Sequence, residues 1–95
     1  MATHERAARF QRDWQALTQA QRKRFRLAFQ RFDADLDAGR FRPGLRVKRV
    51  EGTEQIFELT WAPDGRATFQ YGDMRGSGRH VIWRRVGTHD VFRRP

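Results

Sequence analysis

The sequence contains no cysteine, and this absence excludes several kinds of protein. Without thiols the chain has no disulfide framework and no thiolate nucleophile. Its three histidines, at positions 4, 80 and 89, lack the spacing of zinc ligands. The one serine, Ser77, lies in the glycine-rich stretch 72–78, which is predicted to be a flexible loop, so a serine nucleophile is not expected. No glycine-rich phosphate-binding loop follows a strand. We therefore expect no bound metal and no cofactor.

Long apolar runs are also missing from the chain. No stretch approaches the ~20 apolar residues that span a membrane, and the charged residues 1–6 do not resemble a secretion signal. A length of 95 residues predicts one domain, residues 1–95. Eight Phe, three Trp and one Tyr supply enough bulk to close its core. We expect a soluble, cytoplasmic protein without a membrane partner.

Acidic residues are scarce relative to basic ones. Twenty Lys and Arg stand against 11 Asp and Glu, which gives a net charge of +9. A small domain with such a charge attracts nucleic acid, an acidic protein or an anionic membrane surface. Arginine supplies eighteen of the twenty basic residues, and its planar fork binds two phosphate oxygens at once. The composition thus predicts an anionic partner.

The first part of the chain has a helical pattern. Apolar residues recur every three or four positions, first within residues 7–17 and then within residues 25–36. Between the two stripes, Thr18 followed by Gln21 is the signature of a capping box. Gly39 is a natural helix end. We therefore predict an αα-hairpin over residues 3–39.

After Gly39 the apolar residues alternate with polar ones, which is the pattern of β-strands. Four strands are predicted within residues 45–92, at 45–48, 57–61, 67–71 and 80–86. Because both helical stripes need a partner surface, we expect the helices to cover one face of the sheet. The predicted fold class is α+β, with an N-terminal αα-hairpin packed on a mainly antiparallel four-stranded sheet.

The turn between the second and third strands predicts their register. In the Pro-Asp-Gly of residues 63–65, proline presets the first turn position and glycine accepts a left-handed conformation at the third. A three-residue loop here pairs Leu59 with Phe69 and places the large apolar residues on one face. Glu58 and Arg66 fall on the other face. This leaves a basic open face that suits a polyanion.

The order of two helices and four strands, with a basic open face, resembles the RelE/ParE toxin superfamily of bacterial type II toxin–antitoxin systems. The resemblance is carried by Leu-Arg-Val-Lys at 45–48, an aromatic-rich strand, Asp-Gly-Arg at 64–66 and a final strand ending in Gly-Thr-His at 87–89. It covers nearly the whole chain and implies a RelE-like, microbial-RNase-like fold. The arginine usage resembles that of actinobacterial members.

Enzymatic members of this superfamily cleave mRNA without a metal, usually in the ribosomal A site, and so inhibit translation. The resemblance implies the same metal-independent endoribonuclease activity here, by attack of a ribose 2′-hydroxyl on the adjacent phosphate. Arg66 matches the phosphate-binding arginine of the family. His89 stands where relatives carry a basic residue or a histidine near the active site, and histidine is the side chain that most often transfers protons at neutral pH. Glu58 is the candidate base, although some relatives carry a lysine pair on that strand.

Each of these three residues also has a purely structural interpretation. Arg66 fits a solvent-exposed arginine in a turn. Glu58 fits a surface charge that is paired with a neighbouring arginine, and His89 fits a histidine that caps a loop through hydrogen bonds to the backbone. One feature of several relatives is absent, because Phe92 stands near the end of the chain where they carry a tyrosine.

Five further basic residues are predicted to bind the RNA backbone: Arg46, Lys48, Arg79, Arg84 and Arg85. Since neighbours on a strand point to opposite faces, only one of Arg84 and Arg85 is expected on the open face. The resemblance implies a cognate antitoxin, mRNA and the ribosome as partners. Two other functions fit it as well, a ParE-like inhibitor of DNA gyrase and a non-catalytic RNA-binding regulator.

Overall fold

The predicted helical hairpin is present. The structure, a computed structural model, describes residues 2–75 and 78–95, without the side chains at 74 and 75. Helix α1 spans Ala8–Ala16 and helix α2 spans Gln19–Ala38. The Thr18 hydroxyl accepts a hydrogen bond from the Gln21 amide, and the Gln21 side chain accepts one from the Thr18 amide, so the predicted capping box is confirmed.

The sheet has five strands in the described part of the chain, in the order β1-β5-β4-β3-β2. Their bounds are Thr3–Arg6 (β1), Lys48–Arg49 (β2), Phe57–Ala62 (β3), Gly65–Arg75 (β4) and Gly78–Gly87 (β5). Neighbouring strands are antiparallel except β1, which runs parallel to β5. The α+β class is confirmed, but the four-stranded sheet was wrong, since residues 3–6 form a strand instead of starting a helix. A segment of four residues is too short to show a recognisable hydrophobic period, so the sequence pattern did not indicate this strand.

Two predicted segment boundaries were also wrong. Leu45 belongs to a 3-10 helix at Pro43–Leu45, so the strand predicted at 45–48 is reduced to the two residues of β2. Proline at the first position starts that helix, and the Arg46 amide closes it on the Pro43 carbonyl at 3.0 Å. The loop predicted at 72–78 is shorter, because β4 and β5 pair as far as Arg75 and Gly78; Ser77 lies outside the described residues.

The β3–β4 hairpin has the predicted faces but a different register. Leu59 pairs with Ala67 instead of Phe69, a shift of two residues, and Ala62 pairs with Gly65 next to an irregularity at Trp61. A Cβ atom on Gly65 would lie 2.5 Å from the Trp61 ring, so glycine here permits a close approach of strand and indole. Because the shift is an even number of residues, every side chain keeps its predicted face.

The two faces of the sheet are covered differently. Both helices pack on one face, where Phe10, Phe25, Phe32, Phe69 and Trp83 form the centre of the core. Burying one such side chain stabilises the fold by ~1.5–3 kcal/mol. Residues 88–95, here named the C-terminal segment, lie against the other face and include a 3-10 helix at His89–Arg93. Neither described helix is long and apolar enough to cross a membrane.

Candidate functional site

A groove of about 400 Å³ opens on the sheet face away from the helices. We name it the basic groove, and its lining consists of Arg46, Lys48, Val50, Glu51, Glu58, Thr60, Arg66, His89 and Phe92. The three predicted catalytic residues and two of the five predicted RNA-binding residues are among them. The sheet register places Lys48 opposite Glu58 and Thr60 opposite Arg66. Residues from four separate parts of the chain therefore meet in one groove.

Arg66 is held at the turn of the β3–β4 hairpin. Its Nη1 atom donates to the carbonyls of Gly65 at 2.9 Å, Ala62 at 3.2 Å and Pro63 at 3.3 Å. Among the residues that the structure describes, none accepts a hydrogen bond from Nε or Nη2, and no carboxylate forms an ion pair with Arg66. One nitrogen of the guanidinium thus fixes its position, while two nitrogens, Nε and Nη2, remain for the oxygens of an anion.

Glu58 is a carboxylate with little exposure and no ion pair within residues 2–75 and 78–95. Its residue is 9% exposed on β3, between Lys48 on β2 and Thr68 on β4. Buried carboxylates are usually paired, and the pairing with an arginine that the sequence allowed is not seen here. The positive charges that share the groove attract the carboxylate without binding it directly. The arrangement leaves its oxygens free to accept a proton.

His89 follows β5 at the start of the last 3-10 helix. Its side chain is 59% exposed, and Nδ1 lies 3.1 Å from Oδ1 of Asp64 in the hairpin turn. When Nδ1–H donates to that carboxylate, the ring is oriented and Nε2 stays free of any described partner. The ring also meets the edge of Phe92, with centroids 5.8 Å apart. The same turn therefore positions His89 through Asp64 and Arg66 through its carbonyls.

Arg84 and Arg85 lie outside the basic groove, and the alternation expected for them was wrong. Thr68 pairs with Arg85 whereas Phe69 pairs with Trp83, so Arg84 is an extra residue in β5. Such a bulge breaks the two-residue period. Both arginines consequently reach the C-terminal segment, Arg84 through the Pro95 carbonyl at 3.0 Å and Arg85 through the Arg94 carbonyl at 3.1 Å.

Arg79 is also separate from the basic groove. Its guanidinium lies over the Tyr71 ring, 5.0 Å from the centroid, as in a cation–π contact. Burial raises the pKa of Tyr71, and the positive charge of Arg79 opposes that rise. Because side chains alternate along a strand, those of Arg79 and Tyr71 both lie on the sheet face that carries the helices. Whether Arg79 binds RNA stays a prediction, and any such contact belongs to a different surface.

Four residues of the groove were missed from the sequence, namely Val50, Glu51, Thr60 and Phe92. Thr60 shares the period of Glu58 on β3, so alternation was a sufficient signal for it. Val50 and Glu51 belong to the irregular stretch 50–56, which has no period to follow. Arg46 was predicted, but not its left-handed backbone at φ 49°. Strain of this kind costs ~1–3 kcal/mol and concentrates at functional sites.

No family model matches the sequence, and no curated protein matches it. Solved structures do match. A chain of the RelB–RelE antitoxin–toxin complex from Methanococcus jannaschii has TM-score 0.62 and 17% identity, with 94% of each chain covered. A copper-bound mutant toxin from Helicobacter pylori has TM-score 0.66 and 15% identity, over 96% of this chain and 98% of the other.

A conserved hypothetical protein from Helicobacter pylori is similar in the same way, with TM-score 0.63 and 14% identity over 95% of this chain and 97% of the other. The chain has the fold of RelE-type toxins. The fold implied by the sequence resemblance is therefore confirmed. Within this RelE-type fold, the described residues contain no group of three or more His, Asp or Glu side chains placed to hold a metal ion.

Proposed function

We propose that this chain is the toxin of a type II toxin–antitoxin system and acts as an mRNA endoribonuclease that inhibits translation. The observation that carries the proposal is the convergence of Arg66, Glu58 and His89 in the basic groove of a RelE-type fold. These residues come from different elements, and each has at least one functional atom without a partner among the described residues. They supply an anion ligand, a base and an acid.

The proposed reaction needs these three groups and no metal. The 2′-oxygen of the ribose bonds to phosphorus while the bond from phosphorus to the 5′-oxygen breaks. Glu58 takes the proton of the 2′-hydroxyl, and protonated His89 gives a proton to the leaving 5′-oxygen. Arg66 binds the non-bridging oxygens, whose negative charge grows in the transition state. The products are a 2′,3′-cyclic phosphate and a 5′-hydroxyl.

The groove and the fold support the proposed substrate and partner. Arg46 and Lys48 bring positive charge to the groove, where they would bind flanking phosphates. The resemblance to RelE-type toxins favours mRNA on the ribosome as the substrate. The Methanococcus jannaschii RelE structure is a complex with its antitoxin RelB, and we propose that a cognate antitoxin likewise binds this chain.

The test is a cell-free bacterial translation reaction in which mRNA 5′ ends are mapped. Wild type should cut at discrete positions, and Arg66→Ala should cut at least ~100-fold more slowly, as expected for loss of a group that stabilises transition-state charge. Arg49→Ala is the matched control. Arg49 is exposed and adjacent to Lys48 on β2, but it pairs with Phe57 and so lies on the other face. It should cut like wild type.

Arg66 also bonds the hairpin turn, so thermal unfolding must show that each variant is folded. Arg66→Lys keeps the charge but loses the two-oxygen fork, and intermediate activity is expected. A folded Arg66→Ala protein that cuts like wild type would contradict the site. Intact mRNA and normal protein synthesis with wild type would contradict the nuclease, and a gyrase supercoiling assay would then test the ParE-like alternative.

A further inference from the structure

A second cluster of positive charge lies outside the basic groove, where α1, β5 and the C-terminal segment meet. It lines a depression of about 360 Å³ formed by Arg9, Arg12, Asp13, Arg85 and Arg94, here named the arginine cluster. We propose that the arginine cluster binds backbone phosphates of an RNA strand whose scissile phosphate occupies the basic groove. The identity of this ligand rests on the function proposed above.

The single carboxylate of the cluster is already used. Asp13 Oδ2 accepts hydrogen bonds from Arg85 Nε at 2.6 Å and from the Val86 amide at 3.1 Å, and Oδ1 accepts one from Arg85 Nη2 at 3.1 Å. Asp13 therefore neutralises Arg85. In the described ranges, the side chains of Arg9, Arg12 and Arg94 have no carboxylate partner. Three positive charges remain for an anion.

The cluster also holds its charges close together. Arg9 Nη2 at 2.7 Å and Arg85 Nη1 at 3.1 Å donate to the same carbonyl oxygen, that of Arg94, so the two nitrogens lie within about 6 Å of each other. The pKa of Arg9 is lowered by burial first and then by the charges of Arg85 and Arg84, while Asp13 opposes the change. A bound phosphate would relieve this repulsion.

The helix dipole does not account for Arg9. Arg9 is the second residue of α1, where the positive end of the helix dipole disfavours a cation, whereas Arg12 lies at the middle of the helix. An anion bound there gains from the same dipole and from the guanidinium groups. Arginine is the only basic residue type in the cluster, and its planar fork matches phosphate oxygens.

The C-terminal segment connects the two positively charged sites. His89 and Phe92 line the basic groove, and Arg94 lines the arginine cluster. A 3-10 helix rises ~2 Å per residue, so the segment from His89 to Arg94 spans ~10 Å. A stacked strand advances ~3.4 Å per nucleotide, which makes this distance about three nucleotides. This continuity favours an RNA strand over an acidic protein.

The experiment measures binding to a fluorescein-labelled RNA of twelve nucleotides with 2′-O-methyl groups throughout, which cannot undergo 2′-hydroxyl attack. Fluorescence anisotropy over a series of NaCl concentrations gives Kd and its salt dependence. The Arg9→Gln/Arg12→Gln protein should bind at least tenfold more weakly. The logarithm of the association constant falls with the logarithm of the salt concentration, and this slope should be less steep by ~1.4 in the variant. Each phosphate contact to a single strand contributes ~0.7, and the variant loses two such contacts.

The matched control is Lys23→Gln/Arg40→Gln, which removes the same charge from exposed positions outside both sites. It should change Kd less than twofold. If the double cluster variant fails to fold, Arg12→Gln alone tests the same point, because no described residue bonds the Arg12 side chain, and its slope should fall by ~0.7.

Equal Kd and slope for cluster and control variants would overturn the inference. So would weaker binding of a glutamate dodecapeptide with unchanged RNA binding, which would assign the cluster to an acidic protein. Because the RNA cannot be cut, this result is independent of catalysis. If wild type binds RNA through the arginine cluster but leaves mRNA intact, the inference is supported and the nuclease is contradicted. If wild type cuts mRNA but its RNA binding does not depend on the cluster, the nuclease is supported and the inference is contradicted.

Discussion

The two faces of the sheet differ in what covers them and in what their side chains remain free to do. On the helix face the rings of Phe32, Phe69 and Trp83 pack with centroids 5.0–5.3 Å apart, and all three side chains are buried. On the other face Thr68 and Glu58 are buried although polar. Aromatic packing thus provides the stability on one face, while the other can keep charged groups unpaired in a groove.

Two histidines differ in the same way, since one is fully hydrogen-bonded and the other keeps one ring nitrogen free of any described partner. His80 is buried in β5, with Nδ1 2.7 Å from the Thr3 hydroxyl and Nε2 2.9 Å from the Glu5 carboxylate. Both of its nitrogens hold β1 on the sheet. His89 is mostly exposed and uses one nitrogen, towards Asp64. A free nitrogen, rather than the presence of a histidine, therefore identifies the candidate for proton transfer.

The largest expected effect comes from the helix face. Phe32 is 0% exposed and contacts rings from the sheet, so Phe32→Ala should lower the free energy of unfolding by ~3–5 kcal/mol. Urea denaturation measures the change. Leu27→Ala on the same helix is the control, because Leu27 is 49% exposed, and it should cost far less. Similar losses for both would show that the aromatic core is not the main source of stability.

A smaller effect is expected on the face covered by the C-terminal segment. The buried Thr68 hydroxyl donates to the Pro95 carbonyl at 3.0 Å, and Thr68→Val removes that bond while keeping the shape of the side chain. The loss should be ~0.5–1.5 kcal/mol, since Arg84 still donates to the same carbonyl. Thr60→Val in the basic groove is the control. No described residue forms a hydrogen bond with the Thr60 hydroxyl, so urea denaturation should show almost no change for this variant.

Local signals predicted the helical layer and the division of side chains between faces. The Thr18–Gln21 capping box sets the start of α2, and the left-handed Gly39 sets its end. Glu58 and Arg66 were predicted on the open face despite the wrong register, because an error of two residues preserves the face. The sequence therefore identified residues that meet in the groove from a hairpin whose pairs were misassigned.

The remaining features depend on contacts between distant parts of the chain. Strand β1 exists because residues 3–6 pair with β5 about 77 positions later, and a four-residue strand has no readable period. The bulge at Arg84 depends on two buried residues, Trp83 and Val86, that must both reach the core face. The arginine cluster was missed for the same reason, since α1, β5 and the C-terminal segment meet only in the folded chain.

The smallest expected effect concerns a partly exposed ion pair between α2 and the loop that follows it. The Asp35 carboxylate accepts hydrogen bonds from Arg42 Nε at 2.8 Å, from Arg42 Nη2 at 2.9 Å and from the Arg42 amide at 2.9 Å. These hydrogen bonds from Arg42 lower the pKa of Asp35 in the folded chain from its ordinary value of 3.8 to about 2. Since the folded pKa is the lower one, the pair stabilises the fold above pH ~4 and loses its contribution as the pH falls towards 2.

Asp35→Asn should therefore lose less stability than wild type between pH 5 and pH 2, as measured by urea denaturation at each pH. Asp37→Asn is the control, because Asp37 is exposed on the same helix and has no ion pair among the described residues. It should follow the wild-type pH dependence. Identical curves for all three proteins would contradict a pKa of Asp35 that is lower in the folded than in the unfolded chain. The effect should stay well below that of Phe32→Ala, because solvent reaches the Arg42 side chain, which is 46% exposed, and screens the pair, whereas nothing replaces a lost core ring.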